Sequence, residues 1–133
     1  MSYYLEFTID ALPRMQNAPS RGSNTWHAIK READLWKNLV YCAVVGRRPK
    51  EPLEKAKLIL TRFSSVEPDP DGLVSGFKRI VDGLVISGVL KNDSSKVIGF
   101  PDYRWRQVAR GKGAIQVIVS EIPKPYQDAA QKS

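Results

Sequence analysis

The chain has 133 residues, 42% of them hydrophobic and 26% charged, and a formal net charge of +7. That length holds one domain with a modest core, and the composition is that of a globular chain, not a disordered or fibrous one. No apolar run approaches the ~20 residues that span a bilayer, and the single cysteine, Cys42, excludes both an internal disulfide and a cysteine zinc site. The start lacks a basic segment followed by an apolar one, so the expected setting is a reducing cytoplasm without a membrane partner.

Residues 3–10 alternate and are rich in β-formers, which predicts a strand. Leu12 to Asn24 is a loop of Pro, Asn, Ser, Gly and Arg. Asn24 or Thr25 then caps a helix running to about Val45, with Gly46 ending it. Trp26, Ile29, Ala33, Trp36, Val40 and Ala43 repeat at helical spacing, which places both tryptophans in the core. His27 has no partner at metal spacing, and Cys42 among apolar neighbours reads as a structural thiol. A charged hinge from Arg47 to Glu54 leads into a second strand, Lys55 to Phe63.

That strand delivers Glu67-Pro68-Asp69-Pro70-Asp71. Each proline fixes its own φ and pushes the preceding residue towards extended backbone. Alternate side chains of an extended chain share a side, so Glu67, Asp69 and Asp71 are expected as a row of carboxylates. At about 6.5–7 Å between neighbours, each pair repels by about 2–2.5 kcal/mol at an effective dielectric of ~20. A rigid row of that kind calls for a cation.

From Gly72 to about Ser87 the pattern predicts one helix with two faces. Leu73, Phe77, Ile80, Val81, Leu84 and Val85 form the apolar stripe; Asp71, Ser75, Lys78 and Asp82 form a polar one. Gly88 ends this helix, and Asn92-Asp93-Ser94-Ser95 makes a second acidic turn. Strands are then predicted at Lys96–Phe100, at Arg104–Ala109 and, after the turn Gly111-Lys112-Gly113, at Ala114–Ile122. In Arg104-Trp105-Arg106 the simplest arrangement puts the tryptophan inward and the arginines outward. Residues 1–123 form the predicted domain, and 124–133 a frayed tail. The fold class is α+β, a small mixed sheet with two main helices on one face, and its uncovered edges and surface favour a homodimer.

Asp69, Asp71 and Asp93 are the candidate metal ligands. Hard oxygen donors without His or Cys suit magnesium, which needs only one or two carboxylates plus substrate phosphate. Lys78, with Asp82 and Glu67 in support, would lie near a phosphodiester whose hydrolysis the metal promotes. A helix of ~16 residues rises about 24 Å, so Asp93 meets Asp71 only if the chain after Gly88 runs back along it. Each feature also has a plainer reading: an N-cap at Asp71, an ordinary turn at Asn92-Asp93-Ser94, a surface i,i+4 pair of Lys78 with Asp82. Basic residues flank the acidic centre, and Arg14, Arg21, Lys30, Arg47, Arg48, Lys50, Arg79, Arg104, Arg106, Arg110 and Lys112 are the candidate contacts to a polyanion. The segment from Arg110 to Gly113 has neither the spacing nor the terminal Ser/Thr of a P-loop, and no nucleotide cofactor is expected.

The ordered series Asp69-Pro70-Asp71-Gly72-Leu73, then Lys78, then Asp82-Gly83-Leu84, then Asn92-Asp93-Ser94-Ser95 resembles the RusA-like family of Holliday-junction resolvases, common in phages and prophages. The resemblance is concentrated between Asp69 and Ile98 and extends weakly to the flanking elements. It implies a small homodimer that binds four-way DNA junctions in recombination and repair and nicks them symmetrically with Mg2+ or Mn2+. By position, Asp69, Asp71 and Asp93 would hold the metal, Lys78 would be the catalytic lysine and Asp82 would support it. Gly72 stands where the motif has Asn, Asn92 replaces the first acid of an Asp-Asp pair, and Lys78 lies about three residues further on than in the compact motif, a little under one turn at ~3.6 residues per turn. A non-catalytic branched-DNA-binding protein with the same fold is the alternative. Glycosyltransfer through a D-x-D metal site is disfavoured, because the chain is too short for a nucleotide-binding domain plus an acceptor site.

Overall fold

In the computed structural model, residues 2–13 and 25–123 are described. The elements are β1 (Tyr4–Ile9), α1 (Thr25–Val44), β2 (Ala56–Ser64), α2 (Pro70–Gly76), α3 (Lys78–Ile86), α4 (Ser95–Ile98), β3 (Asp102–Gln107) and β4 (Ala114–Glu121). Arg14, Arg21 and the tail 124–133 lie outside the described residues.

The strands form one mixed sheet in the order β1-β4-β2-β3, an α+β arrangement. β4 is antiparallel to both β1 and β2, whereas β3 runs parallel to β2, with Leu60 opposite Tyr103 and Ser64 opposite Gln107. A parallel partner requires a crossover, and here the crossover carries α2, α3, α4 and both acidic turns. Alternation sorts the faces: Leu5, Phe7, Ile9, Leu58, Leu60, Ile115, Val117 and Val119 are buried in one core with Trp36, Val40, Val44, Ile80 and Leu84. Tyr4, Glu6 and Thr8 on the opposite face of β1 are exposed. Each fully buried Leu, Ile or Val contributes about 1.5–3 kcal/mol.

α1 packs on α3 at close range. A Cβ placed on Gly83 would lie 3.0 Å from the Val40 Cβ, so the glycine sets the helix separation. At 1.5 Å per residue α1 is about 30 Å long and α3 only about 13 Å, and α1 therefore overhangs. That overhang corrects one expectation: Trp26 is 65% exposed, with Ile29 also exposed, while Trp36 is buried. Cys42, expected as a structural thiol among apolar neighbours, is exposed as well.

The predicted helix from Gly72 to Ser87 is two helices. Phe77 takes φ −91° and ψ −5°, its amide donating to Val74 O at 3.1 Å in a tight turn. Phe77 is 1% exposed and its ring lies 6.1 Å from that of Tyr103. Burying this ring against β3, next to the permissive Gly76, outweighs continuous helical hydrogen bonding. The predicted strand at Lys96–Phe100 is instead the short helix α4. Asn92 Oδ1 accepts from the Ser94 amide at 2.9 Å, and Ser94 O accepts from Val97 and Ile98, so local polar turn chemistry overrides the β-branched Val97 and Ile98.

Candidate functional site

Pro70 occupies the first turn of α2, where its missing N–H costs nothing. Asp69, extended at φ −70° and ψ 161°, is the N-cap, and its Oδ1 accepts from the Gly72 amide at 3.1 Å. The expected carboxylate row thus ends at Asp69: Glu67 and Asp69 lie before the helix, and Asp71 is already inside its first turn. Three hydrogen bonds bring the chain after α3 back. Leu53 N donates to Val89 O at 2.9 Å, Lys91 N to Leu53 O at 3.0 Å, and Val89 N to Leu84 O at 2.9 Å. Val89 and Leu90 are buried by this return, which carries Asp93 back towards α2.

Asp71, Val74, Ser75, Lys78, Val81, Asp93, Ile98 and Tyr103 line one open cleft of about 440 Å³. Asp71, Lys78 and Asp93 are all exposed to solvent there. Ser75 donates through Oγ to Gly72 O at 3.3 Å. Burial pushes the Tyr103 phenol above its ordinary range, so it stays a neutral hydroxyl. Asp69 and Glu67 are not among the residues lining this cleft.

Asp93 also borders a second groove of about 380 Å³, shared with Ala33, Lys37, Arg79, Asp82, Val85, Ile86 and Asn92. The polar stripe expected along one helix is therefore divided. Asp71, Ser75 and Lys78 face one cleft and Asp82 faces the other, with Asp93 common to both.

Asp71 and Asp93 supply hard carboxylate oxygens to the first cleft with no imidazole or thiolate nearby, a donor set that fits a divalent ion of the magnesium class retaining several waters. Among the described residues no three His, Cys, Asp or Glu side chains form a group that could hold a metal on their own. A two-carboxylate site completed by water and phosphate oxygens is what this arrangement can offer.

The basic candidates divide by what they already hold. Arg47 donates to Ala43 O at 2.6 Å and to Glu6 O at 3.2 Å, and Arg48 donates to Ser87 O at 3.4 Å with its guanidinium 5.7 Å from the Tyr41 ring. Both tie down chain carbonyls near helix C-termini. Arg48 and Lys50 border a separate depression with Gly46, Pro49, Pro52, Ser87 and Gly88. Lys30 Nζ lies 5.7 Å from the Trp26 ring, which makes a T-shaped contact with His27.

Arg104 grips Asp102 Oδ2 through Nε at 3.1 Å and Nη2 at 2.7 Å, which holds the Asp102 carboxyl below its usual range. Arg106 donates to Trp105 O at 3.1 Å. Trp105 is half-buried and donates from Nε1 to Ser64 Oγ at 3.0 Å, while Arg104 and Arg106 are exposed, the arrangement expected from the sequence. Because Tyr103 faces the helices, alternation sends Arg104 and Arg106 to the opposite face, away from the cleft. Arg110 and Lys112 sit in the exposed turn between β3 and β4. Among the described residues, Lys78 is the cation lining the cleft, and Arg79 and Lys37 are those lining the adjoining groove.

Sequence reasoning missed Tyr103 as part of the cleft, since only the parallel register of β3 on β2 brings it there. It also missed Arg62, 9% exposed, whose Nη1 donates to Pro13 O at 3.2 Å and whose Nε has no partner among the described residues. Desolvation lowers the Arg62 pKa from its ordinary value. No described helix is long and apolar enough to cross a membrane. No family model matches the chain, and no curated protein is significantly similar to it.

Proposed function

We propose that this chain is a magnesium- or manganese-dependent structure-selective endodeoxyribonuclease of the RusA-like resolvase type, which hydrolyses a phosphodiester in branched DNA such as a four-way junction. The observation that carries the reading is the shared cleft of Asp71, Lys78 and Asp93, residues up to 22 positions apart in sequence that face one open cavity. The motif resemblance and the net charge of +7 support a nucleic-acid substrate.

Asp71 and Asp93 would hold the ion. When bound, it supplies Lewis-acid neutralisation of the phosphate and lowers the pKa of water towards neutrality. Lys78, at the first position of α3, offers its ammonium to the phosphate oxygens where negative charge builds during displacement. Ser75 and the Tyr103 hydroxyl give the cleft neutral hydrogen-bonding groups beside that phosphate. Asp69 acts by capping α2 and fixing the turn from which Asp71 projects. Asp82 and Arg79 line the adjoining groove with Asp93, where the Arg79 guanidinium would meet a neighbouring phosphate. Two copies of the chain, each with one cleft, would give the paired nicks that symmetric resolution requires.

A second reading, a branched-DNA-binding protein without turnover, is favoured by one observation: Asn92, at the position of a carboxylate in the motif, is spent on the Ser94 amide. Gel-shift and nicking assays on the same synthetic four-way junction, with and without magnesium, separate the two. The nuclease reading predicts metal-dependent nicks that Asp71→Asn abolishes, with binding kept or tightened because a repulsive charge is gone. Tight binding with no nicking in either metal favours the second reading.

A further inference from the structure

Phe100 is 95% exposed, the most solvent-accessible of the large hydrophobic side chains in the described residues. Gly99 before it has φ +58°, Pro101 after it locks its own φ, and buried Val97 and Ile98 anchor the near side. Two peptide units separate it from Ile98, and three from Tyr103, and both of those residues line the Asp71–Asp93 cleft. At 3.8 Å per unit, its Cα lies no more than about 8 Å from that of Ile98.

The turn leaves an aromatic ring in water a few residues from the cleft. The surroundings do not read as a protein interface. Lys96 and Gly99 are exposed, and Asp102 is paired to Arg104. Val66, another strongly exposed apolar residue, follows the far end of β2, whereas the Ile59–Asp102 pairing puts Phe100 at the near end. A ring with exposed Lys96 four residues before it and Lys78 in the adjoining cleft suits the π-face of a nucleobase.

Resting on the nucleic-acid reading above, we infer that Phe100 is a stacking platform for an unpaired base next to the phosphate held in the cleft. The substrate class is thereby narrowed to DNA with unstacked bases at or beside the cut. Fully paired duplex would leave the ring without a partner.

The test is binding without divalent metal, read by fluorescence anisotropy on a labelled single strand, a labelled blunt-ended two-strand duplex and a labelled four-way junction, for the wild type, Phe100→Ala and Phe100→Trp. Removing a base–aromatic stack is expected to weaken single-strand binding about 10-fold or more, with duplex affinity unchanged and the Trp variant like the wild type. Quenching of a 2-aminopurine base at the junction centre is expected with the wild type and lost in Phe100→Ala. Equal single-strand affinity for the wild type and Phe100→Ala would overturn the assignment while leaving the nuclease reading intact. So would a change of oligomeric mass in Phe100→Ala by light scattering, which would make the ring a protein contact. Base discrimination without metal-dependent nicking would support the stack and overturn the nuclease reading. A wild-type chain that binds none of the three DNAs overturns both.

Discussion

Asp69 and Asp71 are two residues apart and do different work. Asp69 caps α2 through its carboxylate, whereas Asp71 projects from the first turn into the cleft. The two roles respond differently to the same chemistry. Asp69→Ala removes the cap and is expected to cost about 1 kcal/mol, whereas Asp69→Asn, an equivalent cap, should leave the unfolding free energy from urea titration within a few tenths of a kcal/mol. Asp69→Asn should also lose less nicking than Asp71→Asn. A loss as complete as that of Asp71→Asn at unchanged stability would make Asp69 a ligand in its own right.

The two tyrosines raised by burial set an alkaline limit. Burial lifts the Tyr103 phenol, and burial also lifts Tyr3, with Arg47 opposing it. A raised folded pKa favours the protonated ring in the native state. The contribution is fully present below the unfolded value of about 10 and is lost as pH rises through the folded values. The thermal unfolding midpoint should therefore fall above about pH 10, and the fall should be shallower in Tyr103→Phe. An identical fall in that variant would remove Tyr103 from the account.

At the scale of elements, Gly83 shows what periodicity hides. The sequence places it between polar Asp82 and apolar Leu84; the fold places it against Val40 at the crossing of α1 and α3. Gly83→Val should cost about 1–3 kcal/mol through overpacking, measured as a lowered denaturant midpoint with unchanged slope. A neutral result would mean that the helices can separate freely.

β1, α1, β2 and β4 were legible because each combines a clear period with a stop signal, as where Gly46, at φ +83°, ends α1. The break at Phe77 was not, because it follows from a ring burying itself against a strand 26 residues later. α4 was misread as a strand because apolar Val97 and Ile98 carry no period over so short a stretch. The turn residues Asn92 and Ser94 decided the matter.

For the whole molecule, the sequence picked out three polar residues of the cleft but not its full membership. Asp71, Lys78 and Asp93 come together through the parallel crossover and the return of Val89-Leu90 along α3. Helical spacing assigns Asp82 to the same face, but it lines the neighbouring groove, one turn further along α3 than Lys78. The basic flank also looked more uniform in sequence than it is in space. Arg47 and Arg48 hold chain carbonyls, Arg104 holds Asp102, and the cations of the two clefts are Lys78, Arg79 and Lys37. Charge reversal at Lys78 or Arg79 should thus weaken junction binding more than reversal at Arg104, and salt should weaken it in all variants.

The central claim is that Asp71 and Asp93 act jointly on one divalent ion. A titration of Mn2+ followed by electron paramagnetic resonance, on the wild type, Asp71→Asn and Asp93→Asn, tests it without requiring turnover. The account predicts a saturable site in the wild type that either substitution removes. Undiminished Mn2+ affinity in either variant would contradict it.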